Sequence, residues 1–416
     1  MSLLFTHRLV RLVAPSLCCL LLAAAGSGAW ADEAAPLVDG LDARRIDALK
    51  RVDRDHRATP EEQQSCSFVF NTKAHPASGQ AYVIVTDHRD QGYNAALQRL
   101  AKHHRGSILR VDDLARLADD AAAREDLRSR LRAAGPRFVA IAPRPASYSE
   151  NMLLSMWEVL STLDSDPQLD AFPGLLVAPN ETAFSALVER SIHHKPQAAA
   201  DIRPFIVGQT TDSSSVQGQR SLQKIEILRN LFDQYGQTAA SLTTRGGQAR
   251  TTRSQPPAGP QQWSVATSGP REFITELPAP AKDALDRSSL LLMFGHGVPG
   301  MTCSLDVKLF HSVAMADKVV LCGSCFSAAP QESDFPAMRQ GEDGSDIRND
   351  RERFIMRAIE NGAVVAHGHM RLNGGFPEVY TVLESWMHGR TVGEAYQRLI
   401  NAIIEVHDFS AGEFIL

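Results

Sequence analysis

Two blocks decide how this chain folds: Ser288-Ser-Leu-Leu-Leu-Met-Phe-Gly-His-Gly297 and Lys318-Val-Val-Leu-Cys-Gly-Ser-Cys-Phe-Ser-Ala328. In the first, the apolar run Leu290 to Phe294 delivers His296 between Gly295 and Gly297. In the second, Val319 to Leu321 leads through Gly323 and Ser324 to Cys325. Short apolar runs bounded by glycine read as buried parallel strands. In an open α/β sheet the chemistry gathers outside the carboxyl ends of the strands. The two blocks therefore set a thiol and an imidazole on the same sheet edge, the pair that nucleophilic catalysis by cysteine needs. The two residues lie 29 apart, enough for a crossover between adjacent parallel strands, although no long helical pattern fills the interval.

Upstream, apolar runs alternate with helical periods. Strands are expected at Tyr82–Val85, Ile108–Val111, Phe138–Ile141 and Leu175–Val177. Between them fall helices over Tyr93–Lys102, Asp113–Ala134 (stopped by Gly135-Pro136), Leu153–Leu163 and Thr182–Ile192. Such alternation means a parallel or mostly parallel sheet covered on both faces. After the boundary-like His193-His194-Lys195-Pro196, Phe205–Val207 opens a second set, and Leu222, Ile225, Leu228, Phe232 and Tyr235 follow helical spacing up to Gly236. Thr243–Pro270, rich in Gly, Pro, Ser, Thr and Gln, reads as a long exposed loop open to proteolysis. Beyond the two blocks come an acidic loop at Gln331–Asp350, a helix at Arg351–Glu360, a strand at Ala363–Ala366, and helices at Phe376–Met387 and Thr391–Val406, the last capped by Thr391. The carboxylates of the acidic loop offer oxygen ligands of the kind a structural Ca²⁺ takes, but at no recognised calcium-loop spacing.

The chain has 416 residues, 44% apolar and 22% charged, ordinary for a globular α/β protein. A net charge of −5 is too mild to suggest a nucleic-acid partner. His7, Arg8 and Arg11, the apolar Leu9–Ala25 and the small-x-small Ala29-Trp30-Ala31 read as a secretory signal peptide over residues 1–31. The protein is then exported, periplasmic or extracellular, with no stable membrane insertion once the signal is removed. Residues 32–76 form an N-terminal extension or short pro-segment, 77–200 an N-terminal α/β subdomain and 201–416 a second α/β subdomain. The mature chain keeps Cys66, Cys303, Cys322 and Cys325, too few for a disulfide framework, with room for one bridge such as Cys66 to Cys303.

Four motifs in order carry a resemblance. They are Gly295-His296-Gly297; Ser324-Cys325; Ala358-Ile359-Glu360-Asn361-Gly362-Ala363-Val364-Val365-Ala366-His367-Gly368; and Gly389-Arg390-Thr391-Val392-Gly393-Glu394-Ala395. Together they resemble the gingipain family in the caspase, legumain and gingipain group of cysteine peptidases, over roughly Phe205 to Ile404. The first half is similar more loosely, through Asp170-Ala171-Phe172-Pro173, and the Gly-Arg step usual in the family is Ala178-Pro179 here. The resemblance implies a caspase-like fold of two side-by-side α/β/α subdomains with mostly parallel sheets. It implies a cysteine endopeptidase acting on a peptide or protein substrate without a cofactor. Cys325 would be the nucleophile, His296 the general base and acid, and the N–H groups of Gly297 and Cys325 the oxyanion hole. Asp170 would reach the first specificity pocket and favour Arg or Lys there.

Other readings stay beside this one. Cys322 fits a core position better than a nucleophile's, although Cys322-x-x-Cys325 has the form of a redox pair or half a zinc site. A zinc site would need partners from His296, Cys303, His367 or His369, and no second Cys-x-x-Cys exists, so no metal is expected. His311, His367 and His369 read as structural. An inactive binding protein on the same fold and a thiol–disulfide oxidoreductase using Cys322 and Cys325 are the alternatives to hydrolysis.

Overall fold

The computed structural model describes residues 82–166, 168–195, 197–198, 201–210, 216–245, 261–267, 273–330, 352–370, 376–387 and 390–407, with the short strand Ser67–Phe68. The expected signal peptide, the N-terminal extension apart from Ser67–Phe68 (Cys66 included), and the acidic loop at Gln331–Asp350 with the carboxylates considered for Ca²⁺ lie outside the described residues.

The first sheet is built around β1 (Tyr82–Thr86), whose Val83, Ile84 and Val85 are buried, as a central parallel strand's residues must be. With β2 (Ser107–Arg110), β3 (Phe138–Ala142) and β4 (Phe172–Leu175) it makes a parallel sheet of order β2-β1-β3-β4. The connecting helices are α1 (Gln91–His104), α2 (Ala121–Ala134), α3 (Glu150–Leu160) and α4 (Glu181–His193). Helix α3 starts on Ser149 and α4 on Asn180, whose side chains accept from the N–H groups of Met152 and Ala183.

Two expectations shift here. The single helix over Asp113–Ala134 is instead a 3₁₀ turn, Leu114–Ala118, followed by α2. The cause is local. Asp113 accepts from Ala115 N, and Asp120 from Ala122 N and Ala123 N, so each carboxylate caps a new start rather than extending the old one. The strand expected at Leu175–Val177 begins earlier, because Phe172, Pro173, Gly174 and Leu175 take up the register of β3. Pro173 is tolerated there because β4 is an edge strand.

The second sheet has six parallel strands: β5 (Pro204–Thr210), β6 (Ala240–Arg245), β7 (Gln262–Ala266), β8 (Leu290–Gly295), β12 (Val319–Ser324) and β13 (Val365–His367). Three short antiparallel strands, β9 (Gly297–Val298), β10 (Met301–Thr302) and β11 (Leu305–Asp306), fill the interval between β8 and β12. The helices of this half are α5 (Val216–Gln234), α6 (Ala279–Arg287), α7 (Phe354–Glu360), α8 (Phe376–Met387) and α9 (Val392–His407). The strand order is β13-β12-β8-β5-β6-β7. The chain thus runs outward from β5 to β7, returns to β8, and runs outward the other way. The switch point between β5 and β8 is where a doubly wound sheet opens a crevice at its carboxyl edge. The α/β class and the parallel sheets agree with the sequence. Among the described residues, no helix is long and apolar enough to cross a membrane.

The long loop expected at Thr243–Pro270 holds parts of two strands instead. In β6 the residues Ala240, Ser241, Leu242 and Thr244 are buried, and the Thr244 hydroxyl donates to Cys303 O at 2.6 Å, so polar residues sit satisfied in a strand. Strand β7 is the edge, with Trp263 stacked on Phe205 at 6.1 Å between ring centroids. Serine, threonine and glutamine on an outer strand look like loop composition.

Helix α9 returns to the first sheet. Its Gln397 side chain donates to Leu169 O at 2.6 Å, and Leu169 N donates to Asn401 Oδ1 at 2.8 Å, just before β4. The start of α9 forms the expected cap as a reciprocal pair: Glu394 N to Thr391 Oγ1, and Thr391 N to Glu394 Oε2.

Candidate functional site

Strands β8 and β12 are in register from Leu290 opposite Val319 to Gly295 opposite Ser324. His296 and Cys325 are the next residues on each chain, so the fold brings the two predicted site residues together at one carboxyl edge. They stand beside the switch point, since β5 lies on the other flank of β8.

The backbone around them is tightly specified. Gln209, at the end of β5, accepts from His296 N through Oε1 at 2.7 Å and donates from Nε2 to Ser304 Oγ at 2.8 Å. This one side chain ties β5, the His296 corner and the β10–β11 turn together. That turn is Cys303-Ser304, with φ of 51° and 62°. Two successive left-handed residues form the hairpin turn that usually calls for Asn-Gly. Here a cysteine and a serine accept the strain because tertiary bonds hold them: Cys303 Sγ meets Ser324 Oγ at 3.2 Å, and Ile274 N donates to Ser304 O at 2.8 Å.

Cys303 N donates to His296 O at 2.9 Å, which makes Gly297 and Thr302 the wide, non-hydrogen-bonded pair of the hairpin ladder. Gly297 N–H therefore points away from its hairpin partner. Gly297 also lies hard against the residue that follows β12, since a Cβ there would come within 2.1 Å of Cys325 O and 3.0 Å of Cys325 N.

Past Cys325 the chain turns sharply at Phe326, with φ of 56°. A left-handed non-glycine residue directly after Cys325 is strained backbone that persists only because its surroundings hold it. The elbow is latched on the far side. Ser327 Oγ donates to Ser324 O at 2.8 Å and accepts from His369 N at 3.1 Å, while Ala328 N donates to His369 O and Ile355 N to Ser327 O. The Tyr148 hydroxyl, from the first half of the chain, donates to Ala328 O at 2.6 Å. Tyr148→Phe leaves that buried carbonyl unpaired and is expected to cost about 1–3 kcal/mol in urea unfolding.

His296 keeps an open side to solvent, yet the protein around it lowers its pKa through burial. The imidazole is therefore neutral near pH 7, the form that accepts a proton. Cys325 is 9% exposed, whereas Cys303 and Cys322 are fully buried. Burial drives the Cys322 thiol's pKa up, and its sulfur lies 3.3 Å from Thr302 Oγ1, the environment of a core cysteine. Burial likewise raises Cys303. Cys303 is a free thiol whose sulfur sits beside Ser324 inside the fold, and Cys66, considered as its bridge partner, lies outside the described residues.

Asp170 stands at the amino end of β4, where its carboxylate accepts from Asp164 N at 3.0 Å. Burial and the neighbouring Asp164 carboxyl raise its pKa to about 6. It is used within its own loop. His367 and His369 are buried, with pKa values lowered by burial, to about 4 for His367. Among the described residues, the one group with metal-ligand atoms mutually in range is Asp164, Asp166 and Asp170, not a set around Cys322 and Cys325. Sequence reasoning did not find Gln209, Phe326 or Ser327. Of these, only Gln209 left a signal, a polar residue at the end of an apolar strand.

No family model matches the chain. No curated protein matches it either. Solved structures similar to it include a D-2-hydroxyisocaproate dehydrogenase, at 12% identity over 62% of this chain and 73% of that one, with a TM-score of 0.18. Another is the NAD-complexed D-isomer specific 2-hydroxyacid dehydrogenase from Lactobacillus delbrueckii ssp. bulgaricus, at 10% identity over 77% of this chain and 97% of that one, with a TM-score of 0.21. Both are dehydrogenases, a class other than the cysteine-type endopeptidase expected from the sequence, and that enzyme assignment is withdrawn. At these TM-scores the likeness puts no other activity in its place.

The chain's own residues also speak to a dinucleotide site. Gly295-His296-Gly297-Val298-Pro299-Gly300 has the G-x-G-x-x-G spacing and follows a strand. That motif works when a helix comes next and aims its N-terminus at the pyrophosphate. Here β9 and β10 fold back as a hairpin instead, so the spacing builds no phosphate cradle at this edge.

Proposed function

We propose that the ends of β8 and β12 form a thiol-nucleophile site for acyl transfer, on a sheet arrangement of caspase-like type. The observation that carries this reading is the register that sets His296 and Cys325 side by side beyond Gly295 and Ser324. His296, neutral at pH 7, takes the Cys325 thiol proton. The thiolate forms a bond to an acyl carbonyl carbon, and the carbonyl π electrons move to oxygen. In this reading Gly297 N–H, turned from its hairpin partner, and Cys325 N–H receive that oxyanion. As the tetrahedral species collapses, the leaving group departs with the proton from His296. Water, deprotonated by the same imidazole, then releases the acid from the thioester. Gln209 fixes the His296 backbone, and the Phe326 elbow presents the sulfur. The redox alternative has less support, because Cys322 is buried within β12 while Cys325 stands beyond it.

p-Nitrophenyl acetate tests this reading. Expected are a stoichiometric burst of nitrophenol and an acetyl group mapped by mass to Cys325, with Cys303 and Cys322 unmodified. His296→Ala is expected to slow acylation by about 10²-fold. Acetyl on another cysteine, or an unchanged rate in His296→Ala, would sink the proposal.

A further inference from the structure

A cavity of about 350 Å³, whose wall includes neither His296 nor Cys325, is lined by β4 and by β13. Its size is that of a small-molecule pocket. Trp157 of α3, Phe172 and Gly174 of β4, His367 of β13, Trp386 of α8 and Tyr396 of α9 all belong to the wall. No Asp, Glu, Lys or Arg does, among the described residues.

Two polar atoms in this wall have no partner. Trp157 is 3% exposed and His367 6%, and neither Trp157 Nε1 nor His367 Nε2 makes a hydrogen bond. Buried polar atoms in folded proteins are paired as a rule. Both rings flank Tyr396, whose centroid lies 6.0 Å from that of Trp157 and 5.9 Å from that of His367. The orphan donor and the orphan imidazole nitrogen thus belong to one aromatic cluster. An indole N–H can only donate, so it calls for an acceptor, and a neutral imidazole can donate or accept.

A cation finds no carboxylate here and an anion no Lys or Arg, and burying an unpaired charge is strongly unfavourable. We propose that this cavity binds a neutral, largely apolar small molecule that presents an acceptor oxygen, such as a ketone or ester carbonyl, to Trp157 Nε1 and His367 Nε2. This binding is separate from the acyl-transfer reading and does not depend on Cys325.

Gly174 supplies the test. It belongs to the wall, yet a Cβ built on it meets nothing within 4 Å. A side chain added there therefore starts in open space at the cavity wall, and a large one is expected to take up cavity volume. The probe is prodan, a neutral naphthyl ketone whose emission shifts to the blue in apolar surroundings and to the red when its carbonyl is hydrogen-bonded. The wild-type chain is expected to bind one prodan saturably with blue-shifted emission. Gly174→Phe is expected to weaken binding at least tenfold while keeping the wild-type urea midpoint. Should Gly174→Phe lose its fold, Gly174→Val is expected to weaken binding by a smaller factor. Trp157→Phe, which keeps a ring but loses the N–H, is expected to weaken binding three- to tenfold and move the bound emission further to the blue. No saturable binding to the wild-type chain, or wild-type affinity in a folded Gly174 variant, would overturn the proposal.

Discussion

Gly297→Ala is expected to remove the reactivity of Cys325 and lower stability by about 3 kcal/mol or more, the upper part of the range for overpacking. The added methyl would lie 2.1 Å from Cys325 O, 2.9 Å from Ser324 Cβ and 3.0 Å from Cys325 N. Two of these are backbone atoms of Cys325, directly past β12, where Ser324 is held in register with Gly295 and its carbonyl accepts from Ser327 Oγ, so the backbone has little room to move aside. The strain must open the corner that holds His296 against Cys325. Gly135→Ala is the control. It places the same methyl at a left-handed residue, φ 56°, with nothing within 4 Å, so only the backbone penalty of about 1–2 kcal/mol applies. Urea unfolding and the rate of Cys325 acetylation, measured on both variants, separate the effects. Equal losses in the two, or full acetylation of Gly297→Ala, would show that Gly297 does not set the geometry of the site.

Asp87→Ala is expected to cost about 3 kcal/mol at pH 7, the upper end of the cost of leaving buried hydrogen-bond donors unpaired. The carboxylate is fully buried at the end of β1. It accepts from Arg144 N at 2.7 Å, Leu114 N at 3.0 Å, Arg144 Nε at 3.1 Å and Ser147 Oγ at 2.5 Å. Burial by itself would raise its pKa. The hydrogen bonds from Ser147, Leu114 and Arg144 outweigh burial and hold the carboxyl below the usual aspartate value. A folded-state pKa below the unfolded one gives stability that is complete above about pH 3.9 and is lost as pH falls through the folded value. The gap between wild type and Asp87→Ala in urea midpoint should therefore be constant from pH 7 to about 5 and shrink below about 4. A gap that does not change down to pH 2 would mean that the bonds to Asp87 do not depend on its charge.

Legibility in the sequence followed the kind of physics involved. Leu290–Phe294 and Val319–Leu321 announced themselves because central parallel strands are apolar on both faces, and their ends carried His296 and Cys325 to the same edge. Strands β6 and β7 did not, because Ser241, Thr244 and Gln262 disguise a buried strand and an edge strand as loop. The break at Asp119–Asp120 was hidden because a helical period of Ala, Leu and Arg runs across it, and only the capping bonds of Asp113 and Asp120 divide it. In the candidate site, the pairing of His296 with Cys325 was readable but its supports were not. Gln209 lies 87 residues before His296, and the left-handed turns at Cys303, Ser304 and Phe326 use no glycine. Turns of that kind arise from tertiary bonds, which leave no local pattern.

The return of α9 to β4 bears on the order in which the molecule can be made. The first sheet is complete in sequence by Leu175, but the helix whose Gln397 and Asn401 fasten the approach to β4 is the last element described. A chain emerging amino end first reaches that helix after every other strand and helix has been released. Its early half is left with an uncovered margin through most of synthesis. A ribosome stalled before Val392 would hold a nascent chain whose first sheet still exposes β4 to proteases and to other unfinished copies.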